Sequence, residues 1–143
     1  MPTPPALPDD LQAEVAALSE RGDRLAEAGN YNAALERYRE ALGLLPPPAN
    51  RYPAHLWLLV AMADAHFHRG DWGGCRQNLR DALQSGGSEN AFVRLRLGQA
   101  HFELEELADA ETHLFEAFRL GGEALFSHDA PRYLEWLRMR VGA

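Results

Sequence analysis

The chain has 143 residues, 46% hydrophobic and 24% charged, with a single cysteine and a net charge of −7. That length suits one domain with a real core, and those fractions are ordinary for a soluble chain. The acidic balance leaves no basic surplus for phosphates, which argues against a nucleic-acid partner, and one cysteine excludes an internal disulfide.

Taken in order, Pro2, Pro4, Pro5 and Pro8 mark residues 1–9 as a disordered, proline-rich lead-in to a single domain over 10–143. The start MPTPPALPDD lacks the basic and apolar regions of a signal peptide. No apolar run approaches the roughly 20 residues of a membrane span. Together with the lone cysteine, these features predict a cytoplasmic chain with no membrane partner.

Asp9 or Asp10 is the expected cap of a first helix from about Asp10 to Ala28, with Gln12 completing a capping box. Leu11, Val15, Leu18 and Leu25 form its apolar stripe. Gly29-Asn30 makes a turn, and a second helix runs from Tyr31 to Leu45, stopped by Pro46. PPPANRYP then reads as a stiff extended linker. A second pair is expected over Pro53–Arg69 and Trp72–Ser85, ending at Gly86-Gly87. Ser88 is the expected cap of a helix reaching Leu104, whose partner spans Leu107 to Leu120 before Gly121-Gly122. In the tail, Asp129 reads as an N-cap and Pro131 as a first-turn residue of a last helix over about 130–141. Leu134, Leu137 and Val141 form its stripe, beside Tyr133 and Trp136.

These pairs repeat. Gly29, Gly70 and Glu105 share the turn position, so the copies are offset by 41 and then 35 residues. Ala34, Cys75 and Ala110 form a small column; Tyr38, Leu79 and Leu114 a large one; Ala41, Ala82 and Ala117 a second small one. Gly22, Ala63 and Gly98 complete the register on the first helices. Small residues let two helix backbones approach while the large one fills the space between them. One such unit cannot bury its apolar face, so neighbours stack on it and a terminal helix covers the last open face. A terminal helix that docks a partner or dimerises is the alternative.

From about Leu11 onward the chain resembles the tetratricopeptide-repeat family, whose unit is a 34-residue helix-turn-helix. The stretches HLWLLVAMADAHFHRGDW, FVRLRLGQAHFELEEL and LFEAFRLGGEALFSHDAPRYLEWLR are similar to small bacterial three-repeat proteins of that family. The resemblance implies an all-α helical solenoid of three pairs, about 15–46, 53–87 and 89–122, plus the capping helix. Some members of that group neighbour toxin genes, which implies an adaptor, escort or neutralising role.

The resemblance further implies a concave groove lined by the first helix of each pair. Carried over by register, its positions are Ala16, Ser19, Asp23 and Ala26; then Trp57, Val60, Ala61, Asp64, Phe67 and His68; then Phe92, Leu95, Arg96, Gln99, Phe102 and Glu103. Large aromatics beside an arginine are what interface hot spots use. The candidate partner-binding set is therefore Trp57, Val60, Asp64, Phe67, Phe92, Arg96, Gln99 and Phe102. Helical spacing alone fits either a groove lining or packing between helices and under the terminal cap. At the positions where chaperone-tail-binding members clamp a carboxylate, this chain has Ser19, Asp23, Ala61, Phe92 and Arg96. Only Arg96 fits, and Asp23 and Asp64 favour a basic or apolar partner segment over an acidic C-terminal tail.

Chemistry-bearing patterns are few. His66 and His68 are two apart on a helix and face different directions, and His66 and His101 share a repeat position that is usually packed. Cys75 stands where the repeat needs a small buried residue. Arg21-Gly22-Asp23 and Arg69-Gly70-Asp71 match an adhesion tripeptide only by repeat position. No phosphate loop, metal motif or nucleophile elbow is present. The expectation is a protein-binding module with no catalytic residues, no metal and no cofactor. A self-associating scaffold, dimerising through the repeat end or the last helix, is the rival.

Overall fold

A computed structural model describes residues 6–127 and 131–142. Among them run seven helices and no strand: α1 Asp9–Glu27, α2 Tyr31–Gly43, α3 Pro53–His68, α4 Trp72–Ala82, α5 Ala91–Glu103, α6 Leu107–Ser127 and α7 Pro131–Val141. Each helix packs on the next through α1–α6, and α7 packs on α6. Residues 1–5, 128–130 and 143, which include the expected Asp129 cap and most of the lead-in, lie outside the described residues.

The three repeat columns are the core. Ala34, Cys75 and Ala110 are fully buried, as are Ala41, Ala82 and Ala117, while Tyr38, Leu79 and Leu114 fill the inter-helix space. Their closeness is steric. A Cβ on Gly22 would lie 2.5 Å from the Tyr38 ring, and one on Gly98 would lie 2.7 Å from Leu114.

The three tight turns are superimposable in their bonding. Asn30 N–H donates to the Leu25 carbonyl, Asp71 to His66 and Glu106 to His101, with the preceding residue bonding one position later each time. This is the two-bond helix ending that demands a left-handed residue. Gly29 and Gly70 adopt φ of 81° and 77°, and Glu105 adopts φ 61° in the third copy despite its side chain.

Several local expectations fail for identifiable reasons. Neither Asp9 nor Asp10 caps α1. Pro8 occupies the cap position and its carbonyl takes the first helical bond from Gln12 N–H. The two aspartates then lie in the first turn, where their charge complements the positive end of the helix dipole. Ser88 does not cap α5 either; Asn90 does, its side-chain oxygen accepting from Val93 N–H at 3.1 Å. α4 ends at Ala82, and the chain leaves through a wide turn over Leu83–Gly87 with Gly86 at φ 92°.

PPPANRYP is not an extended spacer. Ala49–Arg51 forms a 3-10 turn, and Tyr52 buries its ring in the first core cluster with Val15, Tyr38 and Leu58. An aromatic side chain beside an open helix face gains more from burial than a stiff linker would lose. At Gly122 (φ 69°) α6 breaks, as the glycine pair predicts, but a further turn follows to Ser127. That turn delivers Phe126, fully buried, to the cluster under α7 with Tyr133, Leu134 and Leu137. Val141 of the expected α7 stripe is instead 42% exposed. Leu7 at the end of the lead-in is partly buried against the first core cluster.

Candidate partner-binding groove

The first helices α1, α3 and α5 share one face of the solenoid, and they meet in two different ways. Between α1 and α3 the face is open. Near the helix starts lies an apolar cleft of about 510 Å³, walled by Val15, Ala16, Tyr52, Trp57 and Leu58 and edged by Leu7. Trp57 stands at its mouth with 62% of its surface exposed. Near the helix ends lies a polar cleft of about 450 Å³, where Asp23 and Glu27 of α1 face Ala61, Asp64 and His68 of α3.

Asp23 is oriented by Tyr38, whose hydroxyl donates to Oδ1 at 2.6 Å. Burial, then that bond, pushes the Tyr38 phenol well above its ordinary range, so the hydroxyl stays a donor. The Tyr31 ring stacks on His68 at 5.9 Å, and His68 Nε2 lies 3.4 Å from Asp64. Gly22 makes this arrangement possible by letting the Tyr38 ring cross α1 at close range.

Between α3 and α5 the face is filled. Arg96, one helical register beyond Ala61, is 4% exposed. Its guanidinium lies 4.1 Å over the Phe67 ring and 5.0 Å from that of Phe92. It donates to Asp64 at 2.8 Å and to Gln99 at 3.0 Å. Desolvated cation–π stacking and an ion pair reinforce one another here. Gln99 is fully buried, and its Nε2 has no hydrogen-bond partner among the described residues.

Towards α7 the face closes further. Phe102 packs edge-on against Tyr133 and Trp136, both at 5.2 Å. Glu103 accepts from the Tyr133 hydroxyl at 2.6 Å and pairs with Arg132.

The eight candidate residues therefore part company. Trp57 and Asp64 flank open clefts. Phe67, Phe92, Arg96 and Gln99 form one cluster in which Arg96 and Gln99 are buried and the two rings partly exposed, and Phe102 supports the cap. Val60 is half-buried against the second core cluster. Leu95 is a correction: it is 2% exposed and belongs to the core with Leu114, Ala117 and Phe126, because α5 is covered on both sides. Glu27, Leu7 and Tyr52 were not among the groove positions read from sequence. Glu27 could have been found, since it lies one turn after Asp23. Tyr52 was hidden in a segment whose prolines read as linker.

The titratable groups elsewhere are occupied structurally. His66 is 7% exposed and its Nδ1 lies 3.0 Å from Asp71. His101 is 1% exposed and bonds Glu106 at 2.8 Å, while Arg76 holds Glu106 below the usual carboxylate range. Burial pushes the Cys75 thiol up to about 12, so no thiolate forms at neutral pH. Among the described residues no group of three His, Cys, Asp or Glu could hold a metal, and no helix is long and apolar enough to cross a membrane.

No family model and no curated protein matches the sequence. Solved structures match the fold over most of the chain. The first TPR domain of Spaghetti (RPAP3), bound to the HSP90 peptide SRMEEVD, has TM-score 0.70 at 16% identity, covering 92% of this chain and 95% of that one. The Sgt2 TPR domain of Aspergillus fumigatus has TM-score 0.71 at 22% identity, covering 90% and 80%. The C-terminal TPR-containing domain of an FK506-binding protein from Plasmodium falciparum has TM-score 0.74 at 15% identity, covering 93% of each.

Proposed function

We propose that this tetratricopeptide-repeat fold is a protein-binding module that holds a segment of one partner in the α1/α3 groove, as an adaptor, escort or neutralising protein. The observation that carries the reading is Trp57, held on the rigid helix α3 with 62% of its surface exposed beside an apolar cleft. Tryptophan is among the residues that most often dominate binding energy, and exposed apolar clefts are where partners dock. A similar fold binds a peptide in the Spaghetti complex. An acidic tail such as SRMEEVD suits this chain poorly. Asp23 and Glu27 would repel it, and Arg96 is already paired with Asp64. The fully buried Cys75 and the acidic surface suit a reducing cytoplasm.

The test is affinity capture with wild type and Trp57→Ala, followed by titration of the captured partner. Loss of about 2 kcal/mol or more in binding, with helicity unchanged, is the expected result. Equal affinity in the two proteins contradicts groove binding.

One observation favours a second reading, self-association through the C-terminal end. Phe115, Met139 and Val141 are 51%, 85% and 42% exposed on α6 and α7. Sedimentation over a range of concentrations tests it; a monomer throughout removes it.

A further inference from the structure

The two clefts of the α1/α3 face lie end to end and differ in chemistry. α1 and α3 run side by side in the same direction: Ala16 and Ser19 face Ala54 and Trp57 in the apolar cleft, while Asp23 and Glu27 face Asp64 and His68 in the polar one. The polar cleft contains three carboxylates and, among the described residues, is lined by no lysine or arginine. Arg96 offsets part of the Asp64 charge from one side, and the cleft remains net negative. Trp57 and Asp64 are seven residues apart on one helix, about 10 Å at 1.5 Å per residue. An extended chain covers that distance in about three residues.

We infer that the partner segment is cationic and amphipathic: an extended stretch that seats a bulky apolar side chain against Trp57 and, about three to four residues away, where the alternation of an extended chain returns to the same face, a lysine or arginine among Asp23, Glu27 and Asp64. This rests on the groove reading and adds the chemistry of what the groove takes. Charge complementarity selects the basic residue and speeds encounter. The Tyr31 ring lines the same cleft, where it stacks on His68. The Tyr38 hydroxyl holds Asp23 in place before a ligand arrives. The repeat register also supplies a blocking residue. Ala61 occupies the position that Arg96 fills one repeat later, so Ala61→Arg should place a guanidinium where the partner's would sit.

The test uses dye-labelled, end-blocked peptides and fluorescence anisotropy: GSGFAARKGSG, its charge-reversed form GSGFAAEEGSG, and GSGGAARKGSG without the aromatic. The first is expected to bind roughly tenfold tighter than either control. Its affinity should fall severalfold between about 50 and about 300 mM salt. Trp57→Ala and Ala61→Arg, each with wild-type helicity, should each weaken it roughly tenfold. Equal or tighter binding of the acidic peptide overturns the inference. If that binding still requires Trp57, the groove reading stands and only the chemistry falls. If the cationic peptide binds wild type and both variants alike, the groove reading falls as well. Failure of the cationic peptide to bind overturns the inference, whatever partner the capture experiment finds.

Discussion

The α1/α3 and α3/α5 faces are built from the same repeat positions and end up opposite in character. Trp57 and Phe92 are equivalent, as are Ala61 and Arg96, and Asp64 and Gln99. On the first face the small Ala26 and Ala61 leave a cleft, and Trp57 stands out in solvent. On the second, Arg96 fills the corresponding space between Phe67 and Phe92 and pairs with one oxygen of Asp64 across the helices. One side-chain size at one register position decides between a surface that can receive a partner and one that holds the solenoid together. On the proposed reading, the α5 positions report on stability and the α1/α3 positions on binding.

The largest expected effect breaks the filled side. Arg96→Ala removes a guanidinium that is 4% exposed, leaving Asp64 and Gln99 without its bonds. Removing one partner of a buried pair costs about 3–5 kcal/mol. Because the Asp64 side chain is 40% exposed, water recovers part of that, and the expected loss is about 3 kcal/mol in urea unfolding. Unchanged stability would mean the cluster is not structural.

A second effect comes from pH. Burial, with His101 and Arg94 nearby, lowers His113 from the ordinary 6.5 to about 4. Between those values the unfolded chain takes up a proton that the folded chain refuses. The His113 contribution to stability therefore falls as pH drops through about 6.5 and levels off below about 4. His113→Leu should make that slope shallower in thermal melts across the window, with His66 and His55, also lowered by burial, supplying the remainder, while the α1/α3 face is untouched.

A smaller effect separates the cap from the groove. Glu103→Gln weakens the bonds to Tyr133 and Arg132 that tie α7 to α5. It should cost about 1 kcal/mol, visible as faster hydrogen exchange in α7 and unaltered exchange in α1. The smallest is a gain. Glu105 holds φ 61° where the other copies have glycine, and Glu105→Gly should raise stability by roughly 0.5–1 kcal/mol.

The repeat itself was readable in the sequence because its columns are steric. Ala34, Cys75 and Ala110 are small for one reason, the approach of two helices, and that reason leaves a visible period. The division of the candidate site was not readable. Arg96 and Asp64 are 32 residues apart, and spacing along α5 says which face Arg96 points to but not that Phe67 and Phe92 enclose it. Phe102 likewise carries no sign of burial until α7 folds over it with Tyr133 and Trp136. The wrong caps at Asp9, Asp10 and Ser88 have a common cause. Several polar residues near a helix start can each cap it, and the backbone path through Pro8 or Gly87 decides which one does.

The most direct test of the central claim is an amide chemical-shift map of the protein titrated with the peptide GSGFAARKGSG. Binding in the open groove predicts shifts concentrated in residues 12–27 and 53–68, with the Trp57 indole among the strongest. Shifts centred instead on Phe115, Met139 and Val141 would contradict the account and move the interaction to the C-terminal end.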